Sequence, residues 1–152
     1  MQGYSNIVVT GDVDSGKSTL IGRFLYEMGV LSKGVVKEIE ETNQRLKGDF
    51  EFAYLLDSFE EERTRKLTID TTQAFCKTKK GREFIFIDVP GHQELLKNML
   101  CGSSYADAAI LVIDAQKSIE GQTRRHAFIS KFLGIEQIIL VLNKMDLVSF
   151  NE

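Results

Sequence analysis

Gly11-Asp12-Val13-Asp14-Ser15-Gly16-Lys17-Ser18 sets two glycines, an ammonium and a hydroxyl at the spacing G-x-x-x-x-G-K-[ST]. The chemistry served by that spacing is polyphosphate binding. Glycines let the backbone wrap an anion with successive N–H groups pointing inward, and a helix beginning at Lys17 adds the positive end of its dipole. Lys17 can then reach the β- and γ-phosphates, and Ser18 can offer its hydroxyl to Mg²⁺, a hard ion that takes oxygen ligands. A glycine turn capped by serine looks the same locally, so the reading depends on residues further along the chain.

Two more constellations bear on it. Phe84-Ile85-Phe86-Ile87-Asp88 is an apolar run delivering a carboxylate at its end, and Val89-Pro90-Gly91-His92 continues it. A strand-end Asp88 beside a phosphate loop can hold Mg²⁺ through water, and Gly91 would let its backbone N–H approach a γ-phosphate. By itself D-x-x-G matches many loops. Asn143-Lys144-Met145-Asp146 ends the last apolar run. The Asp146 carboxylate can accept two N–H bonds from the guanine N1 and N2 edge, which adenine does not offer; a site built on such bonds rejects a ligand lacking them by about 10⁴-fold. Lys144 would lay its aliphatic stem along the base plane, and Asn143 would tie this loop to the phosphate loop.

These residues need strands that end at one edge. Ile7–Thr10 is a short β-branched run before Gly11, and Leu20, Ile21, Phe24, Leu25 and Met28 share one face of a helix beginning at Lys17. Thr71–Thr78 and Glu83–Ile87 read as an antiparallel hairpin turning at Gly81. Ala108–Ile113 and Ile138–Leu142 are two more strands, with a helical pattern over Gln122–Leu133 between them. The alternation predicts an α/β domain: a mostly parallel sheet with one antiparallel edge strand and helices on both faces. In such sheets ligands bind at the carboxyl ends of the strands, where Asp14, Asp88, Asp114 and Asn143 fall. A surface helix is expected over Ser32–Leu46 and a solvated charged stretch over Phe59–Lys66.

The 152 residues allow one domain with a core of its own. Hydrophobic residues make up 43% and charged residues 27%, close to soluble globular averages, and no apolar run approaches a membrane span. The N-terminus lacks a secretory pattern, so the expected compartment is the cytoplasm. A net charge of −3 argues against direct nucleic-acid binding by this domain. Cys76 and Cys101 stand apart without metal-ligand spacing and read as buried thiols.

With the three motifs in this order, the chain from Gly11 to Asp146 resembles the G domain of the translation-factor GTPase family, a P-loop NTPase fold. Gly11–Thr19 looks like that family's G-x-V-D-x-G-K-[ST]-T, and Asp88-Val89-Pro90-Gly91-His92 like its D-x-P-G-H. The resemblance implies GTP or GDP as ligand with Mg²⁺. It assigns the phosphates to Asp12, Val13, Asp14, Ser15, Gly16, Lys17, Ser18 and Thr19, and the base to Asn143, Lys144 and Asp146. Glu62–Asp70 resembles the first switch pattern E-R-x-x-G-[IL]-T-I-D, which implies Thr68 as a metal ligand beside Ser18 and Asp88; Lys66 stands where the pattern has glycine. His92 is implied to orient the attacking water, with Val13 and Leu67 screening it, and Lys17, Thr68 and Gly91 complete the catalytic set. An imidazole beside a γ-phosphate could position water. His126 reads as an ordinary surface histidine.

The resemblance implies Mg-dependent hydrolysis of GTP to GDP and phosphate as a conformational switch. A nucleotide-dependent binding module with little turnover fits the same motifs. Gln122–Ser130, with Leu133-Gly134-Ile135 and Asn143–Val148, looks most like the GTPase subunit of sulfate adenylyltransferase, which implies the catalytic subunit of that enzyme as partner. Tu-type elongation factors, with the ribosome as partner, are the alternative; they usually carry histidines where Asp12 and Ser15 stand. The chain stops six residues after Asp146, where the family continues with further helix, a sixth strand and β-barrels. Residues 1–152 are therefore expected to form a G domain lacking its C-terminal strand and helix, as a fragment or completed by another chain.

Overall fold

The computed structural model describes residues 4–31, 34, 36–37, 72–78, 80–89, 106–117, 119 and 121–149. In chain order these form β1 (Ser5–Gly11), α1 (Lys17–Glu27), β2 (Thr72–Lys77), β3 (Glu83–Asp88), β4 (Ala108–Asp114), α2 (Gly121–Phe132), β5 (Gln137–Asn143) and a 3₁₀ turn (Met145–Val148). The strands make one sheet in the order β2-β3-β1-β4-β5. β1 is parallel to β3 and to β4, β4 is parallel to β5, and β2 pairs antiparallel with β3. The mostly parallel sheet with one antiparallel edge strand is the arrangement expected from the sequence.

The β2–β3 hairpin closes through the Gly81 N–H, which donates to the Thr78 carbonyl at 2.9 Å. Gly81 has φ 81°, a left-handed conformation that a side chain at this position would resist.

Alternation along the strands separates two cores. On one face Val9, Phe86 and Val112 pack against Ile21, Leu25 and Leu31, which places α1 there together with Cys76. On the other face Val8, Ile87, Val89 and Ala109 pack with Ile135, Ile129 and Leu133, which places α2 opposite. Val8, Val9, Ile21 and Leu25 are almost completely buried. Each such side chain contributes roughly 1.5–3 kcal/mol on leaving water. α1 is further held by Phe24 edge-on to Phe86, ring centroids 5.0 Å apart.

Among the described residues no helix is long and apolar enough to cross a membrane. Gly34, Val36 and Lys37 are helical, in keeping with a helix after Ser32. The rest of that expected helix, the charged stretch 59–66 and Cys101 lie outside the described residues.

Candidate nucleotide site

β1 ends at Gly11 and α1 starts at Lys17, so residues 12–16 must reverse from strand to helix in a tight loop. The backbone there takes conformations that few residues accept: Gly11 has φ 151°, Asp14 φ 60° and Gly16 φ 91°. Space adds to this at Gly11, where a Cβ would strike the backbone carbonyl of Val112, so the chain can pass this close to β4 only without a side chain. At Gly16 a Cβ would meet the end of the Asn143 side chain, which would have to move from its present place.

Within the loop the Lys17 ammonium folds back to donate to the Gly11 carbonyl at 3.1 Å and the Asp12 carbonyl at 2.8 Å. Lys17 is 8% exposed. Burial lowers its pKa from the ordinary lysine value, against the opposing pull of the Asp88, Asp12 and Asp14 carboxylates. The Ser15 hydroxyl oxygen is buried and has no hydrogen-bond partner among the described residues. An anion entering the loop would meet a desolvated ammonium and an available hydroxyl.

Ser18, on the first turn of α1, donates its hydroxyl to Asp88 Oδ2 at 2.7 Å. β1 and β3 are parallel neighbours with Val9 opposite Asp88, so the end of β3 lies beside the root of the glycine loop. Two hard oxygens thus stand together on the phosphate side. Among the described residues no group of three His, Cys, Asp or Glu side chains forms a metal-ligand cluster. The oxygen pair suits Mg²⁺, which binds through few protein ligands and keeps its remaining positions for water and phosphate.

The base-side motif is on the same edge. β5 lies two strands from β1, a separation of about 10 Å at ordinary strand spacing. Asn143, its last residue, donates from Nδ2 to the Ser15 carbonyl at 2.8 Å, so the two loops touch. Lys144 has φ 60° and its ammonium pairs with Asp114 Oδ2 at 2.8 Å. Asp146 lies in the first turn of the 3₁₀ segment and is exposed. Asp12, Val13, Asp14, Ser15, Gly16, Lys17, Ser18, Thr19, Asp88, Asn143, Lys144 and Asp146 therefore fall on the loops, strand ends and first helical turns at the carboxyl ends of the parallel strands. Thr68, Gly91 and His92 lie outside the described residues.

His126 departs from expectation. Instead of a surface histidine it is 8% exposed, on the sheet-facing side of α2, with Nδ1 2.8 Å from the Thr10 hydroxyl. Burial lowers its pKa, opposed by Asp12 and reinforced by Lys17. Three residues back, the Thr123 hydroxyl donates to Asp12 Oδ2 at 3.1 Å. The face of α2 turned to the loop is polar, with Thr123, His126 and Ser130 all buried, and a search for apolar periodicity passes over it. Asp114 belongs to none of the three motifs, and its place at the end of β4 is the sequence signal that points to it.

Comparison with known proteins accords with this geometry. Elongation factor 1-alpha of Aeropyrum pernix is 48% identical over 156 residues, covering 97% of this chain and 36% of that protein. Elongation factor 1-alpha of Halobacterium salinarum is 45% identical over 150 residues, covering 98% of this chain and 35% of that protein. The chain spans about a third of the length of the curated relatives it matches. Among solved structures, a bacterial selenocysteine-specific elongation factor superposes with a TM-score of 0.62 at 31% identity, covering 94% of this chain and 20% of that one. The Ski7 GTPase-like domain of S. cerevisiae, bound to GDP and inorganic phosphate, shares the fold with a TM-score of 0.69 at 24% identity, covering 97% of this chain and 36% of that one. The family model described as the Elongation factor Tu GTP binding domain matches residues 2–152, and the chain belongs to that family.

Proposed function

We propose that this chain binds GTP with Mg²⁺ and hydrolyses it to GDP and phosphate as the switch domain of an elongation-factor-type translational GTPase, with the ribosome as the partner that stimulates hydrolysis. The observation that carries the reading is the Asn143–Ser15 hydrogen bond, which joins a loop suited to polyphosphate and a loop suited to guanine into one site.

In this reading the backbone of residues 12–19 cradles the phosphates, and Lys17 exchanges its two carbonyl acceptors for phosphate oxygens. The incoming negative charge stabilises an ammonium that burial disfavours. Ser18 and Asp88 would hold Mg²⁺, joined by Thr68, whose role comes from the resemblance of its segment. When bound, the metal neutralises charge on the phosphate oxygens. His92 orients the attacking water and Gly91 meets the γ-phosphate, again by resemblance. Acceleration comes from positioning and preorganised charge. Asp146 reads the guanine edge.

The relatives weigh on the pathway. Elongation factors 1-alpha match over nearly the whole chain at 45–48% identity, and they favour translation over the sulfate-activating branch suggested by Gln122–Ser130. Sulfate activation, with the catalytic subunit of sulfate adenylyltransferase as partner, is thus the second reading.

Calorimetric titration of the chain with GDP and with ADP, each with Mg²⁺, tests the core of the proposal. GDP should bind with a preference approaching 10⁴-fold, the order of magnitude a hydrogen-bonded recognition site delivers. Equal binding of the two would refute it.

A further inference from the structure

We infer that Asp114 is a positioning residue for the base-reading loop: it holds the Lys144 ammonium so that the lysine stem forms a preset platform for guanine. The inference rests on the guanine-nucleotide reading above and adds to it a residue that none of the three motifs contains.

Asp114 ends β4, directly opposite Asn143 in the parallel register, and the next N–H, that of Ala115, donates to the Asn143 carbonyl at 2.9 Å. Asp114 is 4% exposed and follows the buried apolar run Leu111-Val112-Ile113. A carboxylate is costly in such a position unless its oxygens are paired. Both are: Oδ1 accepts the Gln116 N–H at 2.9 Å and Oδ2 accepts from Lys144 at 2.8 Å. The Lys144 bond and nearby positive charge hold the Asp114 carboxyl below the usual carboxylate range despite burial.

For stability alone an apolar residue at the end of β4 would serve as well, since well-packed apolar groups commonly match or exceed a buried ion pair. What the carboxylate adds is direction. Lys144 has a four-carbon stem with free rotation and a side chain 31% exposed, so without a partner its ammonium would sweep through water. Its backbone is already committed, at φ 60°, to a conformation that non-glycine residues rarely take. With the backbone set at one end and the ammonium clamped at the other, the stem is confined before nucleotide arrives. Binding then avoids much of the ordering cost of a flexible side chain, a cost equivalent to about a threefold to tenfold change in affinity.

The test compares the parent chain, Asp114→Asn, Lys144→Ala and the double variant, titrated with GDP and with inorganic tripolyphosphate. Asparagine keeps the shape and the acceptor for Gln116 but removes the charge. Asp114→Asn should bind GDP about threefold to tenfold more weakly, bind tripolyphosphate as the parent does, and add no further loss once Lys144 is alanine. Should Asp114→Asn not fold, Lys144→Met keeps the stem without the ammonium and should show the same selective loss. The inference is overturned by parent-like GDP affinity in the variant, by equal weakening toward both probes, or by losses that add in full. A parent chain that takes ADP as readily as GDP overturns the guanine reading together with this inference. A guanine-selective parent with an indifferent Asp114→Asn overturns this inference alone.

Discussion

The two loops of the proposed site are held by different means. The glycine loop grows from the central strand, where Val8, Val9 and Thr10 are 0% exposed, and is held by Thr123 of α2 on Asp12 and by the close approach of Gly11 to Val112 of β4. The base-side loop follows β5, which among the described strands pairs with β4 alone and whose Leu140 and Leu142 are 64% and 59% exposed. Packing shapes the first. The second is fixed by polar clamps, Asn143 to Ser15 and Lys144 to Asp114, that reach back to the interior. Charge needs a rigid, dehydrated cradle to be gripped strongly, whereas reading a base edge needs only correctly aimed donors and acceptors on a surface that the ligand can enter.

If the loops divide their work in this way, the largest effect should come from the buried one. Lys17→Ala removes a desolvated ammonium and is expected to weaken GDP by about a hundredfold, the scale of hydrogen bonds to charged groups, while guanosine without phosphates binds as before. Parallel titrations with GDP and guanosine measure the split, and an equal loss toward both would break the comparison.

Asn143→Ala cuts the one direct hydrogen bond described between the loops. It leaves the Ser15 carbonyl short of a donor, so unfolding stability should fall by about 1–2 kcal/mol in urea titration. GDP affinity should fall as well, because the phosphate grip and the base reader would no longer share one frame. Unchanged GDP affinity in a destabilised variant would mean that the loops align without this contact.

Legibility in the sequence divides along the same line. The glycine loop is readable because backbone geometry demands glycine at positions 11 and 16, and only a narrow spacing can present Lys17 and Ser18 to one anion. The strands are readable from β-branched and apolar runs, with bounds that shift by a residue or two where pairing continues past the last apolar side chain, as at Asp88 and Asp114. The Asn143 tie between the two loops is readable from its motif, but the polar contacts that involve residues outside the three motifs are not. Asp114 and Lys144 are adjacent only through the β4–β5 register, and Thr10 meets His126 across 116 positions of sequence. No local pattern encodes such a pairing. The apolar contacts of α2 with the sheet, Ile129 and Leu133, lie toward its end, so the polar stretch Thr123 to His126 that faces the glycine loop carries no apolar periodicity to mark His126 as buried.

The smallest expected effect sharpens the boundary between the loops, because His126 supports the buried one from behind. Its pKa is lowered by burial, so the folded chain binds fewer protons than the unfolded chain between the depressed value and the ordinary histidine value of about 6.5. Stability therefore rises with pH through that window and is lost as pH falls below about 6.5, by at most about 1.4 kcal/mol per pH unit for one group. Protonation would also place a second cation near Lys17, on the helix face that touches the strand leading into the glycine loop. Urea unfolding at about pH 7.5 and about pH 5.5 should give a smaller difference in His126→Asn than in the parent chain. The same comparison should show tripolyphosphate affinity declining with acid in the parent and less so in the variant. An identical pH dependence in both proteins would mean that the proton goes elsewhere and that α2 supports the loop by packing alone.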